Sequence, residues 1–296
     1  MKKVVSLLMV PVVALFIYTG CEKDGNTGTL NLSITDAPID DSNVAGIWLT
    51  INEIQYHMND QEWYTFEGFD GPKEFNLLEL TNGVSELLGS FEMEAGTYTQ
   101  LRFMLDAPEM GNTPHNNPGC YIEFDDGSTE QLFVPSGHES GWKGVGAFQI
   151  PSNGTVDITA DFDARKSVIE TGMGNYILKP TIRLVVDNQA GKISGGITNI
   201  PDGKDIVVYA YEDDTYTTEE ADDPTTDTIP RFPNAISSAI ADDSDSYHLV
   251  YLAPMTYDLI VTTSIDGEFG EVLGTIEDVL VESKKTTNLP IDISEL

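Results

Sequence analysis

From Thr29 onward the chain alternates, and this constrains its fold more than any other feature. Leu30, Leu32 and Ile34 alternate with Asn31, Ser33 and Thr35, and Ile47, Leu49 and Ile51 with Trp48, Thr50 and Asn52. The same period of two recurs in 101–105, 156–162 and 182–186. Successive side chains of a strand point to opposite faces, so the pattern sets one face on a core and the other in water, as antiparallel sheets do. Asn82-Gly83, Asp126-Gly127 and Asn153-Gly154 supply turns between strands. No long segment has a helical period. Leu77–Leu80 and Val84–Leu88 each suit one helical turn, with Asn82-Gly83 between them. The expectation is an all-β chain with at most one or two short helices.

A length of 296 residues suggests two domains. The polar joint Asp187-Asn188-Gln189-Ala190-Gly191 follows the last strand of the first half and places the boundary there. We therefore expect two tandem antiparallel β-sandwiches, one over 29–187 and one over 192–296. In the second, strands are expected at 206–211, 247–252, 257–262, 272–281 and 286–293. Residues 212–230 interrupt them with eight acidic residues and no basic one, which reads as a long, exposed, disordered loop.

The N-terminus carries an address. Lys2 and Lys3 precede an uncharged apolar run over 4–18, then Thr19-Gly20-Cys21. That order is a secretory signal peptide, too short for a comfortable membrane span of ~20 residues. Cysteine directly after small residues resembles a bacterial lipobox, which implies cleavage after Gly20 and acylation of Cys21. Residues 1–20 are then a lipoprotein signal peptide and 21–28 an acylated tether. Glu22 and Asp24 resemble part of the surface-export signal of Bacteroidota lipoproteins. The expected location is the cell envelope, as an outer-membrane lipoprotein, with surface-facing and periplasm-facing positions both open. The alternative is an ordinary signal peptide cut near the same place.

Charge and cysteine content narrow the partners. Fifteen Lys and Arg face 49 Asp and Glu, for a net charge of −34. Such a chain repels phosphate backbones and anionic headgroups, which argues against nucleic acid. Cys21 and Cys120 are the two cysteines. Acylation of Cys21 leaves Cys120 without a disulfide partner, and it reads as a small buried side chain.

Further motifs carry family resemblances. Gly28 through Pro38, ending Thr-Asp-Ala-Pro, resembles the opening of a domain-of-unknown-function family of bacterial lipoproteins. Val44–Ile54, Phe75–Leu80, Ala95–Arg102 and Leu178-Lys179-Pro180 agree with it, so the resemblance covers roughly 28–186. Read physically, Asp36 accepts from nearby backbone N–H groups in an Asx-type turn and Pro38 ends the ladder. Gly191–Gly195, Asp205–Ala210, Ser246–Leu249 and Leu252–Tyr257 resemble carboxypeptidase-regulatory-like domains, which implies a transthyretin-like second sandwich. Both resemblances imply accessory modules and supply no catalytic residues.

The candidates for chemistry are few. His57, His115, His138 and His248 lack zinc-site spacing, and pairing of Cys120 with His115 or His138 rests on loop-rich sequence. Hard cations want several oxygens, so calcium at Asp242, Asp243 and Asp245 is the metal candidate, although the run lacks the EF-hand Gly and distal Glu. Flat aromatic faces stack on sugar rings. Trp142, in a Gly-rich segment, is expected to be an exposed ring, and Trp48 points away from Ile47 and Leu49. The reading is a lipid-anchored, non-catalytic binding module that contacts glycans or an envelope protein and needs no cofactor beyond calcium at most. The alternatives are a fimbrial or pilus-related subunit and an enzyme assembled from loop residues.

Overall fold

The computed structural model describes residues 26–37, 43–58, 62–106, 119–135, 141–171, 174–179, 181–224 and 230–296. Residues 1–25, with the signal peptide and Cys21, lie outside them, as do Pro38, His115, His138 and Pro180.

The chain is nearly all β. Strands β1 (Thr27–Ala37), β2 (Val44–His57), β3 (Trp63–Thr65), β4 (Lys73–Asn76), β5 (Glu86–Glu94), β6 (Gly96–Leu105), β7 (Cys120–Phe124), β8 (Thr129–Phe133), β9 (Trp142–Ile150), β10 (Thr155–Asp163), β11 (Val168–Glu170), β12 (Tyr176–Leu178) and β13 (Ile182–Val186) form one hydrogen-bonded path. Its order is β11-β12-β8-β7-β2-β6-β9-β13-β10-β1-β5, with β3 and β4 on β2. The inward residues meet in a single core, where Leu30, Leu32, Ile34, Ile47, Leu49 and Phe162 are fully buried. Period-two patterning predicts this inward set. It does not reveal that β1–β10, β8–β12 and β9–β13 pair in parallel.

The second unit is a sandwich. One sheet runs β17 (Ser246–Leu252), β14 (Gly191–Thr198), β20 (Thr286–Asn288), with β21 (Ile291–Asp292) on β14. The other runs β16 (Ser237–Ile240), β15 (Asp205–Glu212), β18 (Thr256–Ile265), β19 (Glu268–Leu280). Ile193, Leu249, Val208 and Leu259 fill the space between. Leu77–Leu80 forms the expected helical turn, of 3₁₀ type and capped by Asn76. Residues 86–88, expected in a second turn, instead begin β5, where Leu88 faces the core.

The acidic loop corrects the expectation of disorder. Its described part, 213–224, folds onto the outer face of β15. Tyr216 packs edge-on to Tyr211 at 5.1 Å, and Phe232 stacks on Tyr209 at 4.3 Å. Glu220 accepts from the Tyr211 hydroxyl at 2.9 Å, from Asn234 N–H at 3.1 Å and from Asn234 Nδ2 at 3.0 Å. Three donors converging on one carboxylate hold the loop, and the aromatic faces beneath it repay its ordering entropy. Residues 225–229 lie outside the described set.

The two units meet at a short helix, α1 (Ala164–Ser167), capped by Asp163, which accepts from Lys166 N–H at 3.2 Å. Arg165 donates to Phe232 O at 2.7 Å, and Lys166 Nζ donates to Ala235 O at 2.5 Å. The Arg165 guanidinium lies 5.3 Å from the Tyr209 ring centroid and pairs with Asp163 at 3.3 Å. Arg165 and Asp163 are buried, and removing one partner of such a pair costs about 3–5 kcal/mol because a charge is left behind without solvent.

Asp36 positions that helix. It is 4% exposed, and its Oδ1 accepts from Ala164 N–H at 3.0 Å. The partner stands 128 residues away, so the side chain ties β1 to α1 rather than serving only a local turn. Its Oδ2 is buried with no partner among the described residues. Burial, and then the neighbouring Asp163 and Asp161, hold its pKa well above the usual carboxylate range. An acid raised in the folded state stabilises least once the unfolded chain ionises. Stability should therefore fall as pH rises from about 4 through the folded-state value. Asp36→Asn keeps the acceptor and removes the titration. Denaturant melts from about pH 4 to pH 7 should show the variant gaining on the wild type as pH rises. Parallel curves would contradict a neutral Asp36.

Candidate functional site

The outward face of β2 carries the site. A register shift between Ile51 and Glu53 inserts one extra residue. It shifts the alternation by one, so Trp48, Gln55 and His57 all face away from the core that buries Ile47, Leu49 and Ile54. Trp48 sits opposite Asn76 on β4 and Tyr121 on β7, and Tyr121 sits opposite Gln131 on β8, giving a row across four strands.

Within this row the Trp48 and Tyr121 rings lie nearly parallel, 12° apart with centroids at 5.9 Å. Both are half-buried. Trp48 Nε1 donates to Glu123 Oε2 at 2.9 Å, which fixes the indole along the strand. Gly46 makes that pose available, because a methyl there would lie 2.6 Å from Trp48 Nε1. Burial, followed by the Glu74 and Glu123 carboxylates, pushes the Tyr121 hydroxyl above its usual pKa, so it stays a donor. Two parallel aromatic faces bordered by carboxylate acceptors match a sugar ring, which has apolar C–H faces and a hydroxyl rim. Sequence reasoning found Trp48. It missed Tyr121, because cross-strand partnership is not written in either strand.

Other expected site residues go elsewhere. Trp142 is fully buried, 5.2 Å from the Phe162 ring and opposite Phe103 on β6, and it presents no face to solvent. The Gly-rich segment around it is strand β9. A methyl at Gly144 would lie 2.7 Å from Leu184 Cδ2, so that glycine admits a neighbouring side chain. Cys120 is buried too, which pushes its thiol up to about 12 and leaves it unreactive.

The structure does not gather Asp242, Asp243 and Asp245. Asp242 Oδ1 accepts from Ser244 N–H at 2.8 Å and Ser246 N–H at 3.1 Å, closing its own turn. Asp213, Asp214 and Asp258 do converge, their carboxylate oxygens lying within 4.8 Å of one another. Asp258 already accepts from Asp214 N–H at 3.0 Å and Asp278 N–H at 3.2 Å. Both donor residues have positive φ, so this carboxylate braces two left-handed turns.

A second hollow, of about 260 Å³, lies between the two units beside Arg165, Arg231, Tyr176 and Phe269. Arg231 donates to Asp223 at 2.6 Å and rests over the Phe269 ring at 4.3 Å. No helix of the described residues is long and apolar enough to cross a membrane.

Comparison with known proteins adds a family. Residues 27–180 match the family described as Domain of unknown function (DUF4382). No curated protein matches the chain. Among solved structures it is similar to GBS52, the minor pilin of Streptococcus agalactiae, at 11% identity and a TM-score of 0.23, covering 88% of this chain and 94% of that one. It is also similar to the shaft pilin SpaA of Lactobacillus rhamnosus GG, at 10% identity and 0.21 over 89% and 97% of the two chains. BcpA, the major pilin subunit of Bacillus cereus, aligns at 7% identity and 0.23 over 90% and 69%. Scores this low establish no shared function.

Gly46→Ala tests the pose of Trp48. The added methyl should displace the indole and break its bond to Glu123, a loss of about 1 kcal/mol. Near-ultraviolet circular dichroism should change while the melting temperature falls by only a few degrees. An unaltered aromatic signal would show that the indole is not held over Gly46.

Proposed function

This chain belongs to the DUF4382 domain-of-unknown-function family, and we propose that it is an exported, envelope-attached binding module that contacts glycans through Trp48 and Tyr121. The observation that carries the reading is the nearly parallel, solvent-facing aromatic pair on the outward face of β2. Indole and phenol rings stacked in this way offer sugars apolar faces for C–H contacts, with Glu74 and Glu123 as hydroxyl acceptors. The site holds no nucleophile and no metal cluster among the described residues, and recognition needs neither.

The N-terminal address supports attachment to the envelope. A basic head, an apolar run and Cys21 after small residues together suit acylation. Labelling cells with a fatty-acid analogue should mark the wild-type chain and not Cys21→Ala, and the variant should leave the membrane fraction. Continued membrane association of Cys21→Ala would refute anchoring through that thiol.

Binding is tested by screening the protein against immobilised neutral and acidic polysaccharides. Trp48→Ala and Tyr121→Ala should each weaken the best binder at least fivefold, with unchanged melting. Full retention in both variants would remove the platform from recognition. Trp142→Phe should leave affinity unchanged, because that ring belongs to the core.

A further inference from the structure

The opposite end of β2 carries a second outward patch. His57 pairs with Trp63 on β3 and with Gln100 on β6. Gln55 pairs with Arg102 on β6, and Arg102 pairs with Lys143 on β9. The Arg102 guanidinium lies over the Trp63 ring, 3.9 Å from its centroid, and His57 sits 5.2 Å from the same ring.

The charges here run against the rest of the molecule. The chain has four arginines. Arg165, Arg183 and Arg231 each pair with an aspartate, Asp163, Asp161 and Asp223 respectively. Among the described residues no carboxylate comes within salt-bridge distance of Arg102 or Lys143, and Arg102 Nε is buried without an acceptor. Two like charges directly opposite on an antiparallel pair repel and destabilise the ladder. Among the described residues this positive pair meets no anion while an indole holds it in place, an arrangement that suits an external anion.

We propose that Arg102 and Lys143, positioned by Trp63, bind the carboxylate or sulfate groups of an acidic polysaccharide. The inference rests on the glycan reading above and specifies the ligand. Trp48 and His57 are nine residues apart on one strand face, roughly 30 Å at about 3.3 Å per residue. That span exceeds any small ion and suits an extended polymer, with its sugar rings at one end and its acid groups at the other. His57, Gln55 and Gln100 add uncharged or weakly basic donors for hydroxyls beside the cations. The net charge of −34 opposes polyanions at long range, but a Debye length of about 8 Å at physiological salt confines that opposition and leaves the local contact intact.

The test uses the full chain at physiological salt, with polygalacturonate as the carboxylate probe, dextran sulfate as the sulfate probe and dextran as the neutral control. The acidic polymers should bind at least tenfold more tightly than dextran. Arg102→Gln and Lys143→Gln should each remove most of that preference while leaving dextran binding as in the wild type. The unliganded Lys143→Gln protein should melt no lower than wild type, because it loses a repulsion, and this separates loss of charge from loss of fold. Acidic polymers binding no better than dextran, or undiminished in both variants, would overturn the inference while the Trp48 platform stands. Acidic binding that needs Arg102 and Lys143 but ignores Trp48→Ala would uphold the anion site and remove the platform.

Discussion

The bond from Ala164 N–H to the buried Asp36 carboxyl is the contact on which the arrangement of the molecule depends. It joins the end of β1 to the first turn of α1 across the parallel β1–β10 ladder. A neutral acid can occupy this place without the several kcal/mol that a buried unpaired charge would cost. Once α1 is set, Asp163, Arg165 and Lys166 follow in sequence and turn their charges toward the second unit. Arg165 and Lys166 then satisfy the carbonyls of Phe232 and Ala235. The segment that carries those carbonyls also covers the aromatic side of β15, so one bond in the first unit bears on the packing of the second.

The same economy appears on β2. Its fourteen residues are shared among four neighbours, with β4 and β7 flanking the first half and β3 and β6 the second. The bulge at Asn52 shifts the alternation by one residue, so even-numbered Trp48 before it and odd-numbered Gln55 and His57 after it share one face. The cost is one unpaired residue. The gain is a continuous face, with aromatic rings at one end and cations with an indole at the other, on a wall made rigid by strands on both sides.

Much of the fold is legible in the chain because burial on one face writes a period of two. The strands at 30–34, 47–51, 101–105 and 156–162 lie where alternation puts them, and so do five strands of the second unit. Where both faces are buried, the pattern fades. Strand β18 is buried from Tyr257 to Ser264, and its exposure depends on a loop far away in sequence. The acidic segment after β15 misleads for the same reason. Its composition reads as solvated, while Tyr216 and Glu220 work against Tyr211, Phe232 and Asn234, whose nearness the sequence does not state. Trp142 misleads in the opposite sense: glycines beside it suggest an exposed ring, yet the ring is buried and Gly144 and Gly146 make room for Leu184.

What the sequence by itself determined was the β class, the inward-facing residues and the surplus of negative charge, each of which is a local or summed property. Only the tertiary structure decided which outward residues become neighbours. Trp48 meets Tyr121, Arg102 meets Lys143 and Trp63, and Asp36 meets Ala164 through pairings separated by tens to more than a hundred residues. Strand register and order set those meetings, and both arise from the closure of one shared core rather than from any segment alone.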